Sequence, residues 1–200
     1  MLFCLGDKVF YRAGMSNRIP RLSFGELRAD IAQALQPKYA RLGYLGEFFA
    51  ATAHQPDALK AFIDFTDHAK GGLEMRVVEL IALTVAMMKR VAYELHQHER
   101  LAVKLGFERE WVAAVEALAP DIQDALSERE RIVQRFVIDA VERDGLDCTA
   151  LLDAVVDELG HAEAVAVLMV MGRYTTHAII VNALAIGPPV PSIFSDGLGT

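Results

Sequence analysis

The sequence predicts an all-α protein with one folded domain, on three observations. Apolar residues recur three and four positions apart along most of the chain. Ser23 with Glu26, and Ser127 with Glu130, have the spacing of capping boxes, in which a hydroxyl and a carboxylate satisfy the free amides of a helix start. No run alternates apolar and polar residues convincingly enough to make a strand.

At 200 residues the chain is long enough to fill one core, and 53% hydrophobic against 24% charged residues suits a helical globule. Residues 1–17 read as an N-terminal extension, 18–186 as the folded domain and 187–200 as an extended tail. Pro20 makes the lead-in to Leu22 extended. The first capping box opens a helix to about Leu35, which Pro37 ends. The stretch 38–54 is helical but cut by Gly43 and Gly46. Asp57 caps the next helix, with Leu59, Phe62 and Phe65 as its stripe, and Gly71 and Gly72 stop it. Leu73 to Arg90 is apolar nearly all round, as a central helix should be. A tight turn at Lys89 and Arg90 leads into a further helix that Gly106 ends. Trp111 packs on a short helix closed by Pro120. The second capping box opens a helix to about Asp144, and TALLDAVVDELG forms another that ends at Gly160. The last helix is long and carries Arg173, Tyr174, Thr175 and His177 in apolar company, as a pocket wall or a subunit interface. The proline-bearing tail from Gly187 is extended, and a neighbouring subunit is one surface it can cover.

Several classes are excluded. The formal charge of −7, with 20 basic and 27 acidic side chains and no basic block, removes an electrostatic nucleic-acid footprint. Cys4 and Cys148 are too few and too far apart for a disulfide framework or thiolate metal site. Val77–Met88 is too short for a membrane span, and polar residues at helical spacing interrupt 162–185, so no membrane partner is expected. No adequate apolar run follows the N-terminus, so a signal peptide is not expected, and a cytoplasmic location is the default expectation.

The chemistry-bearing stretch is MMKRVAYELHQHERLAVKLG, residues 87–106. On a helix, Val91, Glu94, Leu95, His98, Leu101, Ala102 and Leu105 share one face, apolar except for Glu94 and His98 one turn apart. Two readings stand side by side: a self-satisfied core pair that fixes packing, or a pair with shifted pKa values that moves protons. Glu79, on the preceding antiparallel helix, can be brought towards both. These groups are also enough to hold a divalent ion, but no paired Glu-x-x-His signature supports a metal, and none is expected.

The pattern VVELIALTVAMM, a tight turn, then YELHQHERLAVKLG resembles the alkylhydroperoxidase D-like (AhpD-like) and carboxymuconolactone decarboxylase superfamily. The likeness runs from about Arg18 through Ala185, including RIPRL, SERERIVQRF and RYTTHAIIVNAL. It implies a single-domain helical bundle that forms homo-oligomers, whether dimers, trimers or hexamers. Tyr93, Glu94 and His98 are similar to the Tyr-Glu-Trp-x-x-His form of decarboxylase-like members, with Leu95 in place of Trp. Peroxidase members carry a Cys-x-x-Cys pair here, and Val91 and Glu94 stand at those positions. Without sulfur neither can attack a peroxide, so the resemblance points to the decarboxylase-like branch. It implies a lyase without cofactor, acting on a small organic acid or lactone. Glu79, Glu94 and His98 would be catalytic: His98 moves the proton, Glu94 fixes its tautomer, and Glu79 supplies a second carboxylate or orients the substrate. Tyr93 and Tyr174 would contact substrate. A non-catalytic, ligand-binding helical oligomer is the competing reading, and peroxidase activity through Cys148 is a weaker one.

Overall fold

The computed structural model describes residues 19–195. The whole N-terminal extension, with Cys4, and the last five residues of the tail lie outside the described residues. Helices make up the regular structure throughout: α1 (Ala29–Leu42), α2 (Glu47–Thr52), α3 (Pro56–Gly71), α4 (Met75–Met88), α5 (Ala92–Lys104), α6 (Arg109–Glu116), α7 (Glu128–Glu142) and α8 (Thr149–Ala183). No strand occurs among the described residues, in agreement with the all-α expectation.

α4 is the axis of the bundle, with every residue from Val77 to Ala86 buried. It packs on α5, α6, α7 and α8. Val77, Val78, Ile81, Thr84 and Val85 are β-branched and weak helix formers, so tertiary burial offsets the propensity deficit. Full burial of each larger aliphatic side chain contributes about 1.5–3 kcal/mol. One buried amide of this core donates twice: Gln134 Nε2 meets Thr84 Oγ1 at 3.1 Å and the Val115 carbonyl at 2.7 Å. The second capping box forms as expected at the start of α7. Its Glu130 also accepts from Trp111 Nε1 at 2.8 Å and Arg76 Nε at 2.7 Å, tying α4, α6 and α7 together.

A second apolar cluster joins α1, α2 and α3 to Val91, Tyr93 and the end of α8 through Ile31, Phe48 and Leu59. α5 joins this cluster to the larger one around α4, α7 and α8, with Tyr93 in the first and Ala102 in the second.

Four expectations change. The first capping box closes only a 3-10 turn over Phe24–Glu26, because Leu27 turns extended after it. Pro37 lies inside α1 instead of ending it. Ile31 and Leu35 are buried before it, Tyr39 stacks on Phe24 at 4.2 Å after it, and the helix stops only at left-handed Gly43. Gln55, not Asp57, is the N-cap of α3, since Pro56 fits the first helical position. The described part of the tail lies on its own chain. The Val190 carbonyl meets His96 Nδ1 at 3.0 Å, the Pro191 carbonyl accepts from Arg100 Nε at 2.9 Å, and Ile193 N–H donates to Glu99 at 2.7 Å.

The break expected at Gly160 is present. α8 is two helical arms joined there at φ 77° and ψ 166°, a conformation essentially confined to glycine. By length and composition α8 could cross a membrane, but the second arm turns Arg173 and His177 into the protein interior. Val165, Met169 and Ile179 on the same arm are 51%, 47% and 59% exposed.

Candidate functional site

The turn between α4 and α5 is as tight as the sequence implies. Arg90 takes a left-handed φ of 54°, Val91 N–H donates to the Ala86 carbonyl, and Asn182 of α8 caps the Lys89 carbonyl at 2.9 Å. The helices therefore run back against each other, and Glu79 meets His98. Glu79 Oε2 lies 2.6 Å from His98 Nδ1, with both residues buried. His98 Nε2 lies 3.4 Å from Glu94 Oε2, so the imidazole is held between carboxylates from adjoining helices. Glu94 in turn lies 3.4 Å from Arg173 Nη1 and 3.1 Å from His177 Nδ1, both on α8. Arg173 Nε also donates to Thr66 Oγ1 of α3 at 3.2 Å.

These contacts set the charges. Burial pulls the His98 imidazole down, but the charge and hydrogen bond of Glu79, and then Glu94, outweigh it and raise its pKa above the usual 6.5. Burial alone would raise the Glu94 carboxyl, yet His177, the hydrogen bond to His98 and the Arg173 guanidinium hold it well below the usual carboxylate range. Burial lowers His177 to about 3 despite Glu94, with Arg173 and His98 adding to the effect, so that ring is neutral near neutral pH. The arrangement is an imidazolium between carboxylates, with a permanent cation behind one of them.

A cavity of about 210 Å³ opens onto this network, room for about seven waters. Glu94, His98, Arg173 and His177 line it, together with Tyr93, Lys38 and Lys70. Glu79 does not line it. It sits behind His98 with no exposed surface, so its place is that of the group orienting the imidazole, a role the sequence assigns to Glu94. Tyr174 also lies outside the cavity wall. Its ring packs edge-on against His98 at 5.2 Å, and its buried hydroxyl has no hydrogen-bond partner among the described residues, so it supports the imidazole where substrate contact was expected. Tyr93 does line the cavity, with its ring buried against the second cluster. Gly46 is needed beside it, since a Cβ there would come within 2.8 Å of the Tyr93 hydroxyl.

The buried face of α5 is also rotated from the expected one. Tyr93, Glu94, His98, Glu99 and Ala102 are buried, whereas Leu105 is 42% exposed. The tail covers Glu99 and the second cluster covers Tyr93, surfaces that helical periodicity does not include. Lys38 and Lys70 escape sequence reasoning because each reads as an ordinary surface lysine on its own helix. No sequence signal marks them. Cys148 caps α8 and donates to the Gly145 carbonyl at 3.1 Å, away from the cavity. No group of His, Cys, Asp and Glu suited to a metal ion occurs among the described residues.

Comparisons with known proteins agree with this architecture. Residues 56–131 match the sequence model of the carboxymuconolactone decarboxylase family. An AhpD-core, peroxidase-related protein from Ralstonia eutropha JMP134 superposes with a TM-score of 0.74 at 19% identity, over 86% of this chain and 91% of that one. The debrominase Bmp8 superposes with a TM-score of 0.76 at 14% identity, over 88% and 95% of the two chains. A variant of that debrominase in complex with 2,3,4-tribromopyrrole gives 0.73 at 15% identity, over 85% and 90%. No curated protein sequence matches. The family match lies on the helices that carry Lys70, Glu79, Glu94 and His98, and the chain shares the AhpD-like fold along most of its length.

Proposed function

We propose that the protein is an acid-base enzyme, without a cofactor of its own, that acts on a small organic acid or lactone by proton transfer or decarboxylation. The observation that carries this reading is the buried His98, held between Glu79 and Glu94 at the wall of a cavity. A histidine that closes only on core partners would have no face towards open space. His98 delivers the proton as imidazolium, Glu79 fixes the ring, and Glu94 stands beside it on the substrate side. In a decarboxylation the C–C bond to the leaving CO2 breaks, its electron pair passes to a carbonyl or conjugated system of the substrate, and His98 protonates the carbon left behind. Cys148 lies outside the cavity, which weighs against thiol peroxidase chemistry here.

The test is a panel of 2- and 3-oxo acids and unsaturated lactone carboxylates, incubated in D2O and followed by NMR for deuterium at the carbon next to the carboxylate or carbonyl, and for CO2. The raised pKa of His98 means that its acid form is full at low pH and is lost as pH rises through a value above 6.5. Glu94 stays ionised down into acid solution. Turnover should therefore hold on the acid side and fall only above pH 6.5. Ligands that bind without exchange or CO2 release across the panel would replace this reading with that of a binding protein.

The same reading includes a cytoplasmic homo-oligomer. A groove of about 780 Å³ lined by Phe48, Leu59, Phe62, Ile179 and Ile180 continues the exposed apolar side of α8, a face suited to a second copy. Analytical ultracentrifugation should find a dimer or larger species at micromolar concentration, and a monomer there would remove the assembly.

A further inference from the structure

The cavity beside His98 holds positive charge that the protein does not neutralise. Lys38 of α1 and Lys70 of α3 line it together with Arg173 of α8, whose Nη1 lies 3.4 Å from Glu94. Arg173 is engaged with Glu94 and Thr66. Neither lysine has an ion pair or hydrogen bond with another described residue. Each is held over an aromatic face: Lys38 Nζ lies 4.5 Å from the Phe49 ring centre, and Lys70 Nζ lies 5.1 Å from that of Tyr174. An aromatic face steadies an ammonium but leaves its N–H groups free. In a chain of net charge −7, partly buried lysines sharing one cavity, with Glu94 and Asp67 near but no carboxylate among the described residues in contact with either, offer an anion a site.

We propose that Lys38 and Lys70 form a carboxylate-binding subsite, which holds a small organic anion with its reacting end towards His98. The assignment deepens the acid-base reading and rests on it only for the chemistry after binding. Orientation comes from the charges. The ionised Glu94 repels a carboxylate from its own side, so the anionic end goes to the lysines and the rest of the molecule lies against Glu94 and His98. The lysines thus select the substrate, while the network across the cavity moves the proton.

The titration of the lysines supplies a second handle. Burial, with Arg173 and Lys70 nearby, lowers Lys38 to about 8, against the opposing pull of Glu94 on α5 and Asp67 on α3. Burial and Arg173 also lower Lys70, against Glu79, Glu94 and Asp67. A bound carboxylate favours the charged form of both. Affinity should therefore be full below this range and fall as pH rises through about 8.

The experiment is titration calorimetry on the full chain with acetate, succinate, fumarate and benzoate, each beside its neutral amide. At least one carboxylate should bind, and its amide should bind at least about tenfold more weakly. Lys38→Gln and Lys70→Gln should each weaken that carboxylate by about 10- to 100-fold, and Lys38→Arg and Lys70→Arg should restore most of it. The alkaline loss of affinity should flatten in Lys38→Gln. Amides binding as well as acids, no carboxylate binding at millimolar concentration, or affinity indifferent to both glutamine substitutions in variants that melt like the parent would each overturn the subsite. His98→Gln separates the readings. Carboxylate affinity kept in that variant supports the subsite even if the panel shows no turnover, whereas turnover that ignores both lysines sinks the subsite and leaves the acid-base reading standing.

Discussion

Replacement of His98 by Gln is expected to slow turnover of any accepted substrate by about 100- to 10,000-fold, the usual contribution of a positioned proton donor. Glutamine can occupy the same space and meet Glu79 and Glu94, but it cannot exchange a proton near neutral pH. The loss should appear in kcat with little change in the melting temperature. Glu79→Gln gives the complementary result. Losing the carboxylate 2.6 Å from Nδ1 removes the largest influence raising the His98 pKa, so the alkaline limb of the rate profile should move to lower pH. Steady-state rates across pH for the parent and both variants check this. Unchanged turnover in His98→Gln would be incompatible with the assignment of His98, and an unmoved limb in Glu79→Gln with that of Glu79.

Glu130→Ala is expected to cost about 3 kcal/mol of stability, because it leaves the buried Trp111 Nε1 donor without an acceptor and removes the carboxylate half of the capping box of α7. The bond to Arg76 adds little, since that side chain is 36% exposed. For a chain of this length the melting temperature should fall by about 6–12 °C. Glu130→Gln, which keeps an acceptor, should lose less. The sign of the pH dependence follows from the direction of the shift. Burial would raise the Glu130 carboxyl, but bonds from Ser127, Arg76 and Trp111 hold it below its usual 4.5. Its contribution is therefore full above that value and fades as pH falls through the lowered one. Melting curves in buffers either side of pH 4.5 check both statements, and a drop of less than about 2 °C at neutral pH would show that Glu130 does not hold the three helices together.

Much of the fold is legible in local sequence because it depends on local physics. Ser127 and Glu130 cap α7 through residues three apart, Gly43 and Gly160 end helical segments through their own backbone freedom, and the continuous apolar run around α4 leaves only a central place for it. Where several residues compete, local signals fail. Pro37 removes one backbone donor, but burial before it and aromatic stacking after it keep α1 going. The capping box at Ser23 forms and leads to nothing longer than a turn.

The candidate site divides the same way. The sequence by itself determined that Glu94 and His98 meet, because they lie one turn apart on α5, and that Glu79 can reach them, because a turn as short as Lys89–Val91 forces α4 and α5 together. It also determined that positions 91 and 94 carry no sulfur. Tertiary structure alone decided which carboxylate holds the imidazole and which faces the cavity, that Tyr174 stands behind the site, and that Lys38 and Lys70 enter it from α1 and α3. The physical reason is distance along the chain. Helical periodicity fixes neighbours three or four residues apart, whereas the nearness of Lys38 to Arg173, on elements far apart in sequence, depends on how α1 packs on α3 and α3 on α8.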